Sequence, residues 1–517
     1  MIAKPSTLQK GLPKKTESLC PECAKVIPAT IFEENGKVMM EKECPEHGKN
    51  KDVYWSDKEL YLKAENFAYD GIGVENPAIP NAKVCPNECG LCQLHLTHTC
   101  LANVDLTNRC NLKCPICFAN ANAAGYVYEP SYDEIVKMLK MLRDERPVPT
   151  PAVQFSGGEP TIYPRFIDVI AKAKEMNFAQ IQVATNGIRF AREPEFLEKA
   201  ARAGMNTIYL QFDGIKDDIY VASRGVPLWE VKKKVIENVR KMERPPSIVL
   251  VPTVVKGIND NMVGDIFRFA LKNMDVVRGI NFQPVAFTGR IDQEERAKMR
   301  YTLPDLITDL EKQTNGQLRK DDFFPVPTVV PISTLASALL EQNKVTFTTH
   351  PHCGMATYLF VKSENEVVPL TRFVKVEPLF KELYDLSLKA EKAKLKLPSK
   401  VKALNILKKH MIEENIPDGL STTQFLKMIG TVLSDSSKQA LAKFSWNMMF
   451  IGGMHFQDNY NYDIERVKRC AIHYTTPDGR IIPFCAYNGG PTYRTEIEKR
   501  FSVPLAEWRK RHGEEYT

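Results

Sequence analysis

Residues 110–118 read C-N-L-K-C-P-I-C-F, so Cys110, Cys114 and Cys117 stand three and then two residues apart, with the aromatic Phe118 next. This spacing lets one short loop wrap a single inorganic centre. A cubane of four irons and four sulfides held by only three thiolates leaves one iron free for a ligand that is not protein. A zinc knuckle draws on the same residue type and is the competing reading.

The other cysteines fall into three groups. Cys20-Pro-Glu-Cys23 is followed by a hairpin-like stretch and then by Cys44-Pro-Glu-His47. Paired turns of this kind present Cys20, Cys23, Cys44 and His47 to one tetrahedral ion, zinc or iron. Cys85, Cys89, Cys92 and Cys100 lie within sixteen residues and make a complete ligand set for a second cubane, a second zinc ion being the alternative. His95 and His98 interrupt that run. Cys353, in H-P-H-C-G, joins Cys470 and Cys485, which bracket a hairpin with Pro477-Asp478-Gly479 as its turn. Three ligands there suit another cluster, with His350, His352, His473 or a substrate on the remaining iron. Three buried free cysteines are the plainer reading.

The elements that must hold these groups are legible from periodicity. Apolar runs of strand length (LANVDL, PAVQFSGG, AQIQVATNG, NTIYLQFDG, SIVLVPTVVKG, GINFQPVAF) alternate with helix-period segments such as FIDVIAKAKEM and WEVKKKVIENVRKM. Alternation implies an α/β protein with a parallel sheet and right-handed crossovers, and six units suit a partial (β/α)6 TIM-like barrel. Functional loops of such barrels lie at the carboxyl ends of strands. The short motifs stand there: the cysteine loop, Ser156-Gly157-Gly158-Glu159-Pro160, Thr185-Asn186-Gly187, and Asp213-Gly214 with Ser223-Arg224-Gly225. Paired glycines let backbone approach a ligand, and a carboxylate complements an ammonium.

Cys110, Cys114, Cys117 and Phe118, with the G-G-E-P segment on the next strand, resemble the hallmarks of the radical S-adenosylmethionine superfamily. The resemblance implies that the open iron chelates the amino and carboxylate groups of S-adenosylmethionine, whose reductive cleavage yields a hydrogen-abstracting 5'-deoxyadenosyl radical. It also implies cofactor-binding roles for Phe118, Gly157, Gly158, Glu159 and Pro160, the last four at the methionine ammonium. Thr185 and Asn186 would meet the ribose or carboxylate. Arg224, beside Asp213 and Ser223, would pair with the carboxylate, and Gln283 on the sixth strand would pass the adenine. The Cys470–Cys485 region is similar to the C-terminal auxiliary-cluster domains of the superfamily.

The whole cysteine layout resembles one archaeal subfamily, first associated with pterin methylation in methanopterin biosynthesis and now linked to tetraether lipids. From that resemblance the expected reaction is carbon–carbon bond formation between terminal sp3 carbons of isoprenoid (phytanyl) chains, archaeol to tetraether lipid. The alternative is radical methylation of a pterin. Two stretches bear on the choice. Residues 376–410 carry nine lysines with leucines at helical spacing, which suits an anionic membrane surface or an ordinary solvated face. Residues 423–456 are rich in Met, Phe and small residues that suit an alkyl tunnel or a plain core.

Composition sets the outer limits. The chain has 517 residues, 43% hydrophobic and 26% charged, so it reads as globular and larger than one domain. A net charge of +7 is mild for this size and does not call for nucleic acid. The first residues lack an apolar signal core, and no apolar run is long enough to span a bilayer. Thirteen cysteines without a signal segment indicate metal ligation in a reducing, cytoplasmic compartment, and the basic 376–410 stretch leaves room for peripheral contact at the inner face of the membrane. Four segments are expected: a rubredoxin-like or zinc-ribbon-like knuckle (1–75), an auxiliary-cluster segment (76–98), the barrel (99–340), and an auxiliary-cluster and substrate-channel domain (341–517). The expected cofactors are a [4Fe-4S] cluster with S-adenosylmethionine, one or two auxiliary [4Fe-4S] clusters and one mononuclear Fe or Zn. The expected partners are an archaeol-type membrane lipid and an electron donor such as a ferredoxin.

Overall fold

The computed structural model describes residues 2–434, 448–490 and 493–513. Four antiparallel strands, β1 (Lys14–Leu19), β2 (Val26–Glu34), β3 (Lys37–Cys44) and β4 (Gly48–Trp55), form a meander near the N-terminus. The β2–β3 turn is Asn35-Gly36, both at positive φ (54° and 77°), as a tight hairpin turn requires. Alternation along β3 turns Val38, Met40, Lys42 and Cys44 inward.

Six parallel strands follow: β5 (Leu101–Thr107), β6 (Ala152–Gly157), β7 (Gln180–Thr185), β8 (Thr207–Gln211), β9 (Ser247–Val251) and β10 (Val277–Pro284). They pair in chain order. Crossovers carry helices α1 (Tyr132–Asp144), α2 (Phe166–Glu175), α3 (Pro194–Ala203), α4 (Trp229–Arg240) and α5 (Val263–Lys272). Each buries one apolar stripe in the core shared with the strands. Helix α1 shows how locally this is specified. Ser131 caps it in a reciprocal capping box with Glu134, and Ile135, Met138, Leu139 and Leu142 form its buried face.

The C-terminal part of the chain extends the same sheet at both edges. Strand β12 (Met448–Met454) lies parallel to β10, with β11 (Gly354–Ser363) antiparallel beyond it. At the other edge β13 (Ile472–Thr475) lies parallel to β5, and β14 (Ile481–Pro483) pairs with it antiparallel. The Pro477-Asp478-Gly479 turn expected from sequence joins these two, with Gly479 at φ 88°. The sheet therefore runs from Phe324–Pro325 to β14 without closing, a partial TIM-like barrel with a ribbon at its N-terminus.

The Met- and Gly-rich stretch read as a tunnel wall is in part strand β12. A Cβ at Gly453 would stand 2.6 Å from Leu306 and 2.7 Å from Leu303, so its glycine serves close packing. Residues 435–447 of that stretch lie outside the described residues. The lysine-rich stretch forms two helices, α7 (Val376–Lys392) and α8 (Leu397–Lys409), packed with α6 (Val330–Leu340) and Phe425 around a second core. No helix among the described residues is long and apolar enough to cross a membrane.

Candidate functional site

The carboxyl ends of β5 and β6 are bound together by glycine. A Cβ at Gly157 or Gly158 would overlap the carbonyl oxygens of Thr107 and Arg109, respectively. Because neither has a side chain, the Gly158 amide donates to the Thr107 carbonyl (2.7 Å) and the Glu159 amide to that of Arg109 (2.9 Å). The G-G-E-P segment is thereby pressed against the start of the cysteine loop. Asn122, at φ 63°, pins that loop: its carbonyl accepts from the Cys110 amide (3.0 Å) and its amide donates to the carbonyls of Cys110 (2.6 Å) and Leu112 (3.0 Å). Cys117 exchanges backbone hydrogen bonds with Arg290 beyond β10, 2.9 Å each way.

The result is a cavity of about 440 Å³ at the mouth of the barrel, faced by Cys110, Cys114, Cys117, Phe118, Gly157, Gly158, Thr185, Asn186, Arg224 and Gln283. Amides from five of the six strands, Asn103, Gln154, Gln182, Gln211 and Asn281, lie across its floor, with Val249 and Val251 of β9 beside them in a lining that is otherwise largely apolar. Gln154 donates to Asn103 (2.6 Å), Gln182 to Gln154, and Asn281 and Gln283 to the hydroxyl of Tyr209, the last at 3.2 Å. Phe450, Phe456, Tyr474 and Phe484 form the wall, and Cys485 opens onto the same space.

Four residues expected at the cofactor, Glu159, Pro160, Asp213 and Ser223, stand behind it. Glu159, 1% exposed, accepts from Thr161 N (3.1 Å), Thr161 Oγ1 (2.6 Å), Thr185 Oγ1 (2.8 Å) and Asn186 N (2.9 Å), so its carboxylate ties its own turn to the Thr185-Asn186 loop. Burial raises its pKa in spite of those donors. Asp213 is wholly buried. It receives two hydrogen bonds from Arg224 (2.5 and 2.9 Å) and one from Ser223 (2.9 Å). Burial opposes its ionisation, but Arg224 outweighs that and holds the carboxyl below its usual range. Arg224, besides facing the cavity, donates to the carbonyl of Ile116 in the cysteine loop (3.1 Å). Pro160 opens the short turn Pro160–Ile162 and is buried.

Two features went unread in the sequence. The inward amides alternate along strands that otherwise look apolar (VQF, QIQVAT, YLQF, INFQP), and that alternation was their only signal. Lys232, on α4, is fully buried. Its Nζ donates to the Asn186 carbonyl (2.6 Å) and to Gln211 Oε1 (2.8 Å), and burial pulls its pKa down to about 7. No motif marks it.

The donor sets fit metal. Three partly buried thiols converge on the cavity from one pinned loop, and each is available as a ligand. In the ribbon, the ligand atoms of Cys20, Cys23, Cys44 and His47 all lie within 4.8 Å of one another. His47 Nδ1 is 3.5 Å from Cys44 Sγ and 3.7 Å from Cys20 Sγ, and Cys23 and Cys44 are 3.9 Å apart. A tetrahedron with metal–sulfur bonds of about 2.3 Å has edges of roughly 3.8 Å, so one ion suits this set. Hydrogen bonds from His47 and then the Glu46 amide pull the Cys44 thiol down to about 6.

The remaining cysteines are buried or half-buried. Burial raises Cys85 to about 12 and raises Cys89 well above the ordinary thiol range, and in both cases neighbouring cysteines add to it. Cys92 acts on both, and Cys470 also acts on Cys89. Cys100 Sγ lies 3.6 Å from the Thr346 carbonyl and near His98, and Cys470 adds to the rise that burial imposes on it. Burial raises Cys470 and Cys485 as well, with Cys353 adding to both, and Arg466 Nε donates to Cys353 Sγ at 3.3 Å. Both ring nitrogens of His455, next to Cys353 through a backbone bond, are buried without a partner.

Comparison with known proteins agrees with this architecture. Residues 104–270 match the Radical SAM superfamily and residues 12–56 the HMPTM N-terminal zinc ribbon domain. A full-length relative, the 7,8-dihydro-6-hydroxymethylpterin dimethyltransferase of Methanocaldococcus jannaschii, is 48% identical over 512 residues, covering 96% of this chain and 97% of that one. The GTP 3',8-cyclase of Syntrophomonas wolfei is 29% identical over 187 residues, 35% of this chain and 55% of that one. Among solved structures, Streptococcus suis SuiB bound to its precursor peptide SuiA matches with TM-score 0.34 and 16% identity, over 43% of this chain and 46% of that one.

The expectation of carbon–carbon coupling between isoprenoid chain ends, archaeol to tetraether lipid, is overturned by the full-length relative, which carries the name of a pterin dimethyltransferase. In the cavity the amides of Asn103, Gln154, Gln182, Gln211 and Asn281 stand among apolar side chains, hydrogen-bonding groups that a hydrocarbon chain end would leave unused. With its barrel, its ribbon and this relative, the chain belongs to the radical S-adenosylmethionine enzymes, in the family of the M. jannaschii protein, and its cofactors are a [4Fe-4S] cluster with S-adenosylmethionine and a single metal ion in the ribbon.

Proposed function

We propose that the protein methylates a reduced pterin of the 7,8-dihydro-6-hydroxymethylpterin class. The observation that carries this reading is the amide floor of the cavity; the name of the full-length relative supports it. A pterin is flat and carries alternating donors and acceptors on its pyrimidine edge. Amides offer both kinds of group, and Gln154, Gln182, Gln211, Asn281 and Gln283 line the floor together with the Tyr209 hydroxyl. Phe450, Phe456 and Phe484 would cover the ring faces and keep water out.

In this reading Cys110, Cys114 and Cys117 hold the cluster, and Gly157, Gly158, Thr185, Asn186 and Arg224 hold S-adenosylmethionine against it. When bound, these groups supply the one-electron chemistry that removes hydrogen from carbon. Asn122 and Arg224 fix the loop that carries the thiolates, while Lys232 sets the Asn186 turn and Gln211. Cys85, Cys89 and Cys92, and Cys353, Cys470 and Cys485, are candidate ligands of auxiliary clusters, and a ferredoxin-type donor would deliver the electrons.

The test is anaerobic turnover of reconstituted protein with S-adenosylmethionine, reductant and 7,8-dihydro-6-hydroxymethylpterin, read by mass spectrometry. Pterins heavier by one and by two methyl groups are expected. Deoxyadenosine formation with the pterin recovered unchanged would refute the substrate while leaving the cofactor chemistry intact.

A further inference from the structure

The α7–α8 hairpin presents an apolar tip. Leu395 is 75% exposed, Leu397 71%, Val401 52% and Leu388 41%. They are four of the eleven large apolar side chains exposed among the described residues, so exposure is concentrated at this one place. Leu397 and Val401 are one helical turn apart and share a face. The inward face of the hairpin, by contrast, is anchored: Leu379, Leu383, Ala390, Ala403 and Leu407 are buried in the second core.

The tip is also strongly cationic. Residues 388–402 hold six lysines against one acid, Glu391. Lys396 braces the turn, pairing with Glu341 (3.3 Å) and donating to the Ala390 carbonyl (2.9 Å). Lys389, Lys392, Lys394, Lys400 and Lys402 form no ion pair among the described residues. A solvated lysine face needs no exposed leucines, and a core leucine would not stand three-quarters exposed.

We propose that this tip docks the protein on the surface of an anionic lipid bilayer, the leucines entering the headgroup boundary and the lysines meeting lipid phosphates. Charge complementarity selects this occupant over a neutral bilayer, and a small convex tip suits a fluid surface better than a rigid protein groove.

The experiment is co-sedimentation of the full-length holoprotein with vesicles of phosphatidylglycerol or of phosphatidylcholine. Binding at least about tenfold tighter to phosphatidylglycerol is expected. The L395S/L397S variant should lose about tenfold in binding while forming deoxyadenosine from S-adenosylmethionine at the parent rate, which shows that it is folded. The K392Q/K394Q/K400Q variant should lose the preference for the anionic lipid. Absence of binding by the parent protein overturns the proposal. So does undiminished binding by the leucine variant, which would assign the attraction to charge alone, or capture of an acidic protein without capture by vesicles.

Discussion

At the residue scale, the cofactor machinery is a matter of who holds whom. Arg224 looks like a free cation in the sequence, yet it bridges Asp213, the Thr253 hydroxyl and the Ile116 carbonyl, so it ties β8 and β9 to the cysteine loop. Replacing Cys110, Cys114 or Cys117 with alanine should abolish deoxyadenosine formation and leave the circular dichroism spectrum unchanged, because the strands, not the loop, make the core. Lys232 acts at one remove. Lys232→Met should leave the iron content intact and lower S-adenosylmethionine cleavage by about tenfold or more, since the Asn186 carbonyl and Gln211 lose a charged donor. Its signature is a raised KM for S-adenosylmethionine, relieved in Lys232→Arg if the lysine only supplies the donor.

Elements meet at the site only where side chains are missing. Gly157 and Gly158 let the β6 end lie on the β5 end, and a methyl group at position 158 has no room against the Arg109 carbonyl. Gly158→Ala should cost about 1–3 kcal/mol in stability. It should also separate the G-G-E-P segment from the cysteine loop, visible as lost deoxyadenosine formation in protein that still sediments as a monodisperse species. The ribbon relies on its ion in the same way. Its two knuckles are turns between β1 and β2 and between β3 and β4, and the ligands are the contacts between them. His47→Ala should remove one metal ion per chain by elemental analysis and open residues 14–55 to proteolysis, with the barrel clusters retained.

Across the whole molecule, distant segments are fastened by buried charge. Arg300 pairs with Asp458 (2.6 Å) and Asp52 (2.9 Å), joining the barrel, the C-terminal part and the ribbon. The Asp458 carboxyl is held at about 2, burial being outweighed by Arg300, and the Phe287 amide donates to it as well. Arg300→Met would leave Asp458 buried without its cationic partner, Asp52 keeping Arg296 at 2.9 Å, so denaturation should show a loss of about 3–5 kcal/mol. The R300M/D458L double variant should recover part of that loss. Equal instability in both would mean that the pair adds nothing beyond its packing.

The chemistry-bearing residues were legible because short-range spacing encodes them. A loop that wraps a cluster, a knuckle that grips an ion and a hairpin with Asn35-Gly36 are all set by neighbours in the chain. Strand and helix periodicity likewise announced the six barrel units. What sequence alone could not decide was every relation that closes over hundreds of residues. The joining of β12 and β13 to the barrel edges depends on sheet pairing between distant segments. Glu159 and Asp213 carry the residue types of ligand-binding groups, yet burial and local donors turn them to holding loops together. The inward amides were hidden because a strand's period shows which residues share a face, and only the curl of the sheet decides which face encloses the cavity.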